Sequence, residues 1–429
     1  MRKITTSNLV TFGLSLCGLA WSALAFGGVE IPDPKDTLDV AVAGPDLIGG
    51  STDHIFTIYA ADRELYDSNV YRLPSGTNIA AVVGPSATLH DYTNSPGAGL
   101  SGQWGIGRQI VNVELNAQDN RYSSNTNLDN ISSTDRAVFN WGLGSVVSGQ
   151  VGINYLRALA GFVNATSYAR NIYEQANYYA ATRFQVGPRW ALYGGIENSL
   201  LGFGQSVPGG NNSSAKSVDL GFDFVTNVED TIGLDYRYSD IRYSHGIALS
   251  STLFAPDFRD ERLRLLVKRA LSEKTSIDLS AGYLERTYAN TLIGSFKGPI
   301  WSATLGWQPT GKTQLLGSTW RSLRAYLTDQ TYYYRSTGVS LSPVWNATEK
   351  INLSFLVSRE TQNYIGSSPI GGGQPGRRDT VNAQVASITY NPIHALTLDF
   401  SYRHEQRDSN VQLRTYTDQL ASAGVKFVF

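Results

Sequence analysis

The sequence predicts an all-β fold, a transmembrane antiparallel β-barrel of about 18 strands with both chain termini in the periplasm. Three observations support this prediction. Apolar and polar residues alternate with period two through most of the chain. Short and long connections between the alternating segments follow one another in strict order. The composition combines 24 Tyr, 8 Trp and 42 Gly with 17% charged residues, as expected for strands with one apolar and one wet face.

The N-terminal segment predicts export from the cytoplasm. Arg2 and Lys3 precede a mostly apolar run over residues 9–24, which ends in the small residues of Ala23-Leu24-Ala25. A retained membrane anchor is the alternative, although the run is shorter than the ~20 residues that a spanning helix needs. We therefore expect a Sec signal peptide cleaved near Ala25, a flexible periplasmic leader and an outer-membrane barrel, at residues 1–25, 26–52 and 53–429 respectively.

Residues 230–242 illustrate the alternation that predicts the strands. Ile232, Leu234 and Tyr236 share one face, while Asp235 and Arg237 lie on the other. Similar segments recur along the chain, and their apolar faces carry no charge at mid-strand, as a lipid-facing surface requires. The chain ends on a terminal phenylalanine that continues this pattern, as the last strand of outer-membrane barrels typically does.

The connections predict the strand number and the orientation. Short turns, from one near residue 107 to one at 391–394, alternate with longer polar stretches, which we interpret as periplasmic turns and extracellular loops. A soluble all-β fold has no reason to alternate in this way. An upward strand at 54–63 completes an even set of about 18 strands. Sixteen is the alternative, and the non-periodic residues 64–97 are a candidate constriction of the pore.

The alternation also predicts which side chains line the lumen. Tyr333 is expected to point outward, between two inward tyrosines. Acidic and basic residues are equal in number on the inward face once Lys268 and Lys426 are included, so the sequence gives no reason to expect a pore of a single charge sign. The predicted lumen-lining residues are Glu114, Arg183, Glu197, Asp219, Asp223, Asp235, Arg237, Arg262, Arg264, Asp278, Tyr332, Tyr334, Asp399 and Arg403.

Composition and motifs argue against several other functions. The only cysteine, Cys17, lies in the predicted signal peptide, so we expect no disulfide, no thiolate chemistry, no cofactor and no metal site. A net charge of −1 gives no reason to expect nucleic acid as a partner. Gly306, Gly311, Lys312 and Thr313 match a nucleotide-binding P-loop formally, but that motif needs a helix after the turn, and a strand is predicted here. We predict no enzymatic activity.

Short motifs in residues 67–165 resemble the EpsL-type outer-membrane proteins of exopolysaccharide biosynthesis operons. The first motif is Asp67-Ser68-Asn69-Val70-Tyr71-Arg72-Leu73-Pro74, with Ser68 where a second Asp is common. Arg108-Gln109, Asn120-Arg121-Tyr122, Leu128-Asp129, Trp141-Gly142-Leu143-Gly144 and Ser148-Gly149 follow in the order of that family. The rest of the chain agrees only as a generic barrel.

The resemblance implies a channel that exports exopolysaccharide across the outer membrane. It also implies a polysaccharide substrate, a periplasmic export protein and inner-membrane polymerising machinery as partners. A barrel surface additionally implies contact with outer-membrane lipid and lipopolysaccharide. The alternative function is a porin for passive diffusion of small solutes, because the residues that line a wide polar lumen do not separate the two.

Overall fold

The structure is a computed structural model. It describes residues 55–163, 167–204, 212–226, 230–244, 247–249, 252–254, 257–289, 294–325, 331–367 and 376–429. The predicted signal peptide and leader lie outside these residues. Among the described helices, none has the length and apolarity needed to cross a membrane.

The fold is built almost entirely from strands. In chain order they are β1 (Ile55–Asp67), β2 (Asp91–Asn94), β3 (Gly97–Ile106), β4 (Gln109–Tyr122), β5 (Asn130–Leu143), β6 (Val147–Leu159), β7 (Ile172–Val186), β8 (Trp190–Phe203), β9 (Ser213–Val225), β10 (Thr231–Tyr243), β11 (Ile247–Leu249), β12 (Thr252–Phe254), β13 (Phe258–Ser272), β14 (Thr275–Tyr288), β15 (Phe296–Thr310), β16 (Thr313–Ala325), β17 (Thr331–Asn346), β18 (Ile351–Ser367), β19 (Arg378–Ile393), β20 (Leu396–Ser409) and β21 (Tyr416–Val428). Within the described residues, one short helix, α1 (Ile79–Val82), and a 3₁₀ turn at Thr126–Leu128 lie in the connections.

The sheet closes on itself. Every strand of the ring pairs antiparallel with its neighbours, and the last strand, β21, pairs with β1 from Tyr59–Val428 to Asp67–Leu420. On its other side β1 pairs with β3, and then with the four-residue strand β2 in the same register. β2 also continues the pairing of β3 with β4. The ring therefore has 18 strands, with β2 as a short extra strand beyond the end of β3, and the prediction of 18 is confirmed.

The connections between the described strands confirm the predicted order of turns and loops. Those at one end of the barrel have at most five residues, and those at the other end have at least five. Strand β1 begins and β21 ends at the short-turn end, which is the periplasmic end in barrels of this class. β11 and β12 pair only with each other, as a hairpin in the long connection between β10 and β13.

The sequence that resembles a P-loop folds as a hairpin. Gly306 lies in β15, Gly311 and Lys312 form the turn, and Thr313 starts β16. The Lys312 ammonium donates to the Ala347 carbonyl oxygen at 3.3 Å. A strand therefore follows the turn, where phosphate binding would need the N-terminus of a helix.

Candidate functional site

The two faces of each strand have opposite characters. On β10, Ile232 and Tyr236 are 43% and 39% exposed, whereas Asp235 and Arg237, on the other face, are 1% and 2% exposed. The exposed apolar residues of neighbouring strands continue the same outer band, so this face contacts lipid. In a closed barrel the alternate residues turn to the interior. The lumen is therefore the candidate functional site.

A belt of ion pairs, most of them buried, crosses the inner wall from β7 to β14. The Arg237 guanidinium donates to Glu197 at 2.7 Å and lies 3.5 Å from Asp219, so β10 is connected to β8 and β9. The Arg264 guanidinium lies 2.7 Å from Asp235 on the adjacent strand. These side chains are largely excluded from solvent, and their charges are compensated within the wall.

The belt extends in both directions beyond these pairs. Arg183 pairs with Asp223 nearer the short-turn end. Nearer the loop end, the fully buried Arg286 donates to both carboxylate oxygens of Asp260, at 2.8 and 2.9 Å. Arg262, also a predicted lumen residue, stands opposite Arg237 in the β10–β13 register. The pair Arg286–Asp260 was not among the predicted lumen residues.

The other predicted residues lie outside the belt. Glu114 is exposed and stands opposite Arg136 across the β4–β5 register. Asp278 is largely exposed, with Lys268 at 3.8 Å. Arg63 donates to Asp399 at 3.1 Å, and Arg403 pairs with Glu405.

Of the two tyrosines predicted to line the lumen, the structure describes the side chain of one. Tyr334 is buried against Tyr364, with ring centroids 5.2 Å apart. Tyr332 belongs to β17, but its side chain lies outside the described residues.

The segment after β1 folds inward at the loop end of the barrel. Tyr71 and Leu73 are almost completely buried and pack with Leu128 and Phe162, which belong to two other loop-end connections. The Tyr71 hydroxyl donates to the side-chain oxygen of Asn125 at 3.1 Å. Long-range packing therefore holds this non-periodic segment in place, although its sequence carries no strand pattern.

Arg72 fixes the segment to the wall. Its guanidinium lies 2.9 Å from Asp67 and 3.1 Å from Asp418, the latter on β21. Burial alone would lower the pKa of Arg72, but the two carboxylates outweigh it and raise the pKa above its ordinary value. The backbone of Arg72 has φ of 55°, a left-handed conformation that costs a non-glycine residue about 1–2 kcal/mol. The ion pairs offset that cost.

A second connection reaches across the mouth. Arg407 on β20 donates to the carbonyl oxygen of Val163, in the β6–β7 connection, at 2.8 Å. Along the ring, β21, β1, β3, β4 and β5 separate β20 from β6, so this contact spans a chord of the opening. The same guanidinium pairs with Asp379 and donates to the Tyr364 hydroxyl at 2.9 Å. These contacts therefore hold the segment after β1 and the β6–β7 connection together at the loop end of the barrel.

Comparison with known proteins gives a family-model match over part of the chain. Residues 267–429 match the family model described as "Putative beta-barrel porin 2". No curated protein matches the chain. Solved structures with a similar arrangement of strands include three Pseudomonas proteins, to which the chain is at most 10% identical.

Each of these three is covered almost completely. For the outer membrane protein OpdK of Pseudomonas aeruginosa the TM-score is 0.47 and the identity 8%, over 87% of this chain and 99% of that one. For OccK2 (OpdF) of the same species, solved in complex with glucuronate, the values are 0.48 and 10%, over 90% and 100%. For a BenF-like porin of Pseudomonas fluorescens Pf-5 they are 0.49 and 8%, over 87% and 99%.

The family match corrects two expectations from the sequence. The resemblance to EpsL-type proteins is wrong, and so is the exopolysaccharide export that it implied, because the family model that matches is one of porins. The short motifs lie in residues 67–165, outside the part of the chain that the family model matches, and the remaining residues agreed only as a generic barrel. The polysaccharide substrate and its export machinery rested on that resemblance alone. What the fold and the match support together is a porin-type barrel of the bacterial outer membrane.

Proposed function

We propose that this chain is a porin that lets small solutes diffuse passively across the bacterial outer membrane. The porin family match over residues 267–429 and the closed ring of 18 strands support this proposal. Barrels of 16–18 strands enclose an aqueous channel. The inner wall is polar and carries compensated charges, which suits a water-filled passage without catalytic function.

The contact between Arg407 and the carbonyl of Val163 is the observation that favours small solutes over polymers. This contact holds the β6–β7 connection across the loop-end opening of the barrel. The segment after β1, which Arg72 connects to β21, lies beside it. A hydrated polymer needs a wide opening through which it can slide. A mouth crossed by tethered loops favours small molecules.

The surroundings of the barrel follow from its outer face. Above the apolar band, Asp240 accepts from Arg242 at 3.0 Å and lies 3.8 Å from Arg259, all on the outward side. We expect this polar rim to contact lipopolysaccharide, and residues 1–25 to be removed during export. N-terminal sequencing of the protein from outer membranes tests the cleavage near Ala25.

Reconstitution tests the proposed function. Purified protein in planar bilayers should form KCl-conducting channels, and liposomes that contain it should swell in monosaccharides but not in oligosaccharides beyond a size limit. Boiled protein is the control, because heating unfolds the barrel. Bilayers that stay silent with folded protein would contradict the proposal, and so would swelling that is independent of solute size.

A further inference from the structure

The inner wall is divided into two chemically different sectors. Strands β7–β14 carry the belt of ion pairs. On β15–β19, the lumen-facing positions that the structure describes carry charge only at Arg324, Glu360 and Asp379, all in the half nearer the loops. The rest of this sector is mainly small and hydroxylated, with Ser302, Thr304, Ser318, Ser340, Ser358 and Ser387 on the lumen side.

Trp320 is an aromatic side chain near the middle of this hydroxyl sector, whereas Phe296, Tyr334 and Tyr364 lie closer to the loops. Trp320 on β16 donates from its indole Nε1 to the Ser336 hydroxyl at 3.0 Å, and Ser336 in turn donates to Glu360 at 2.7 Å. Ser336 is completely buried in the wall. The indole is therefore held by its polar edge, and its nitrogen is already satisfied.

Gly338 explains why the Trp320 indole lies flat against the neighbouring strand β17. A Cβ atom at this position would come within 2.2 Å of Trp320 Cζ2, so only glycine allows the indole to lie directly on the neighbouring strand. Trp320 is neither buried nor fully exposed. Because one face covers Gly338, the accessible face is turned to the lumen. The wall thus presents a flat apolar surface among hydroxyl groups.

We propose that Trp320 and the surrounding hydroxyls form a binding track for neutral saccharides, an inference that rests on the proposed porin function. A sugar has an apolar C–H face that can stack on an indole, and hydroxyls that both donate and accept. Ser and Thr hydroxyls have the same dual capacity, so each sugar–water hydrogen bond can be exchanged for a sugar–wall bond. Glu360 lies in the same row as Trp320 and already accepts from Ser336 and Gln362. On the turn side of that row, a charged solute finds no counter-charge at the lumen-facing positions of β15–β19.

Sucrose-dependent channel block tests the track. Wild-type channels in KCl should show a saturable fall in conductance with sucrose, from which an association constant follows. Trp320→Ala should weaken that association by about fivefold, whereas Trp320→Phe keeps an aromatic face and should stay within about twofold. The control is Trp345→Ala, a tryptophan 50% exposed on the outer face of β17, which should behave as wild type. Heat-modifiable gel mobility establishes that each variant is folded.

The outcomes separate this inference from the porin function. Channels whose conductance falls linearly with sucrose, equally in all four proteins, would overturn the saccharide track and leave the porin intact. Saturable block by gluconate in place of sucrose would overturn it as well. Folded protein without any KCl conductance would overturn the porin function, and the track with it.

Discussion

Arg237 brings together two carboxylates from two neighbouring strands. Glu197 and Asp219 are both about as buried as the arginine itself. Taking three charges out of water is costly, and their attraction offsets this only while all of them are present. The cluster is therefore stable as a set and unstable when one member is removed.

Removing the cation should be strongly destabilising. Arg237→Ala leaves two buried carboxylates without their counter-charge, and we expect a loss of about 3–5 kcal/mol in the free energy of unfolding, measured by urea titration in detergent. Arg242→Ala is the matched control on the same strand, since its side chain is 68% exposed and exposed pairs contribute little. Equal stability of the two variants would contradict the cluster's structural role.

Lys312 offers a second test at a single residue. The Lys312→Ala variant loses one hydrogen bond to the Ala347 carbonyl in an exposed turn, so stability should change by about 0.5 kcal/mol or less. ATP binding, measured by equilibrium dialysis, should be undetectable in both proteins. Binding that disappears in the variant would restore the P-loop interpretation.

At single residues, alternation could predict the side of a residue but not its partners. It gave Glu197 and Arg237 as separate lumen residues, because a contact across β9 depends on register. Asp260 was missed because it lies in a polar stretch at the very start of β13, where alternation does not separate a strand from a loop.

Tyr333 shows where alternation fails for a structural reason. It is 2% exposed and stacks on Tyr288, because β16 stops pairing with β15 beyond Arg321. The end of the β16–β17 hairpin is then released to pack inward, and the pattern of residues along β17 carries no sign of this.

Strands and turns could be predicted because their signals are local. Period-two alternation and Gly- or Pro-containing turns arise from the strand and its immediate neighbours. The inward segment after β1 could not be predicted in this way. It depends on contacts with Leu128, Phe162 and Asp418, which are distant in sequence.

Cysteine labelling tests the orientation of the elements. Gln412→Cys, in the β20–β21 loop, should react with an impermeant maleimide on intact cells, whereas Glu349→Cys, in the β17–β18 turn, should react only after the outer membrane is opened. Both positions are exposed in the structure. Unsubstituted protein gives the background. The reverse pattern of labelling would invert the topology.

The loop held by Arg407 gives a further prediction about an element. Arg407→Ala removes the bond to the Val163 carbonyl and should let the β6–β7 connection leave the mouth, so single-channel conductance should rise. Arg377 still neutralises Asp379 in this variant, which limits the structural damage. Arg378→Ala, an exposed arginine at the same end of β19, is the control and should conduct as wild type. Unchanged conductance in Arg407→Ala would mean that this loop does not narrow the pore.

For the whole molecule, the near-balance of charge in the lumen decides ion selectivity. Ion pairs such as Arg63–Asp399 and Arg264–Asp235 line the wall. The electric field of each charged side chain is therefore cancelled by its partner within a short distance. A channel with a wall of this kind attracts neither ion strongly. The reversal potential in a KCl gradient should therefore lie near zero.

Neutralising the cation or the anion of one lumen ion pair should shift the reversal potential in opposite directions. Arg183→Gln leaves Asp223 without its partner, so the lumen gains net negative charge and the channel should become more cation-selective. Asp223→Asn leaves Arg183 instead and should make the channel more anion-selective. Both side chains are partly accessible from the lumen, so ions in the channel sense the change. Arg242→Gln alters the same net charge on the outer face and should leave the reversal potential unchanged. A shift of the same sign in both lumen variants would show that the pair does not set the field in the pore.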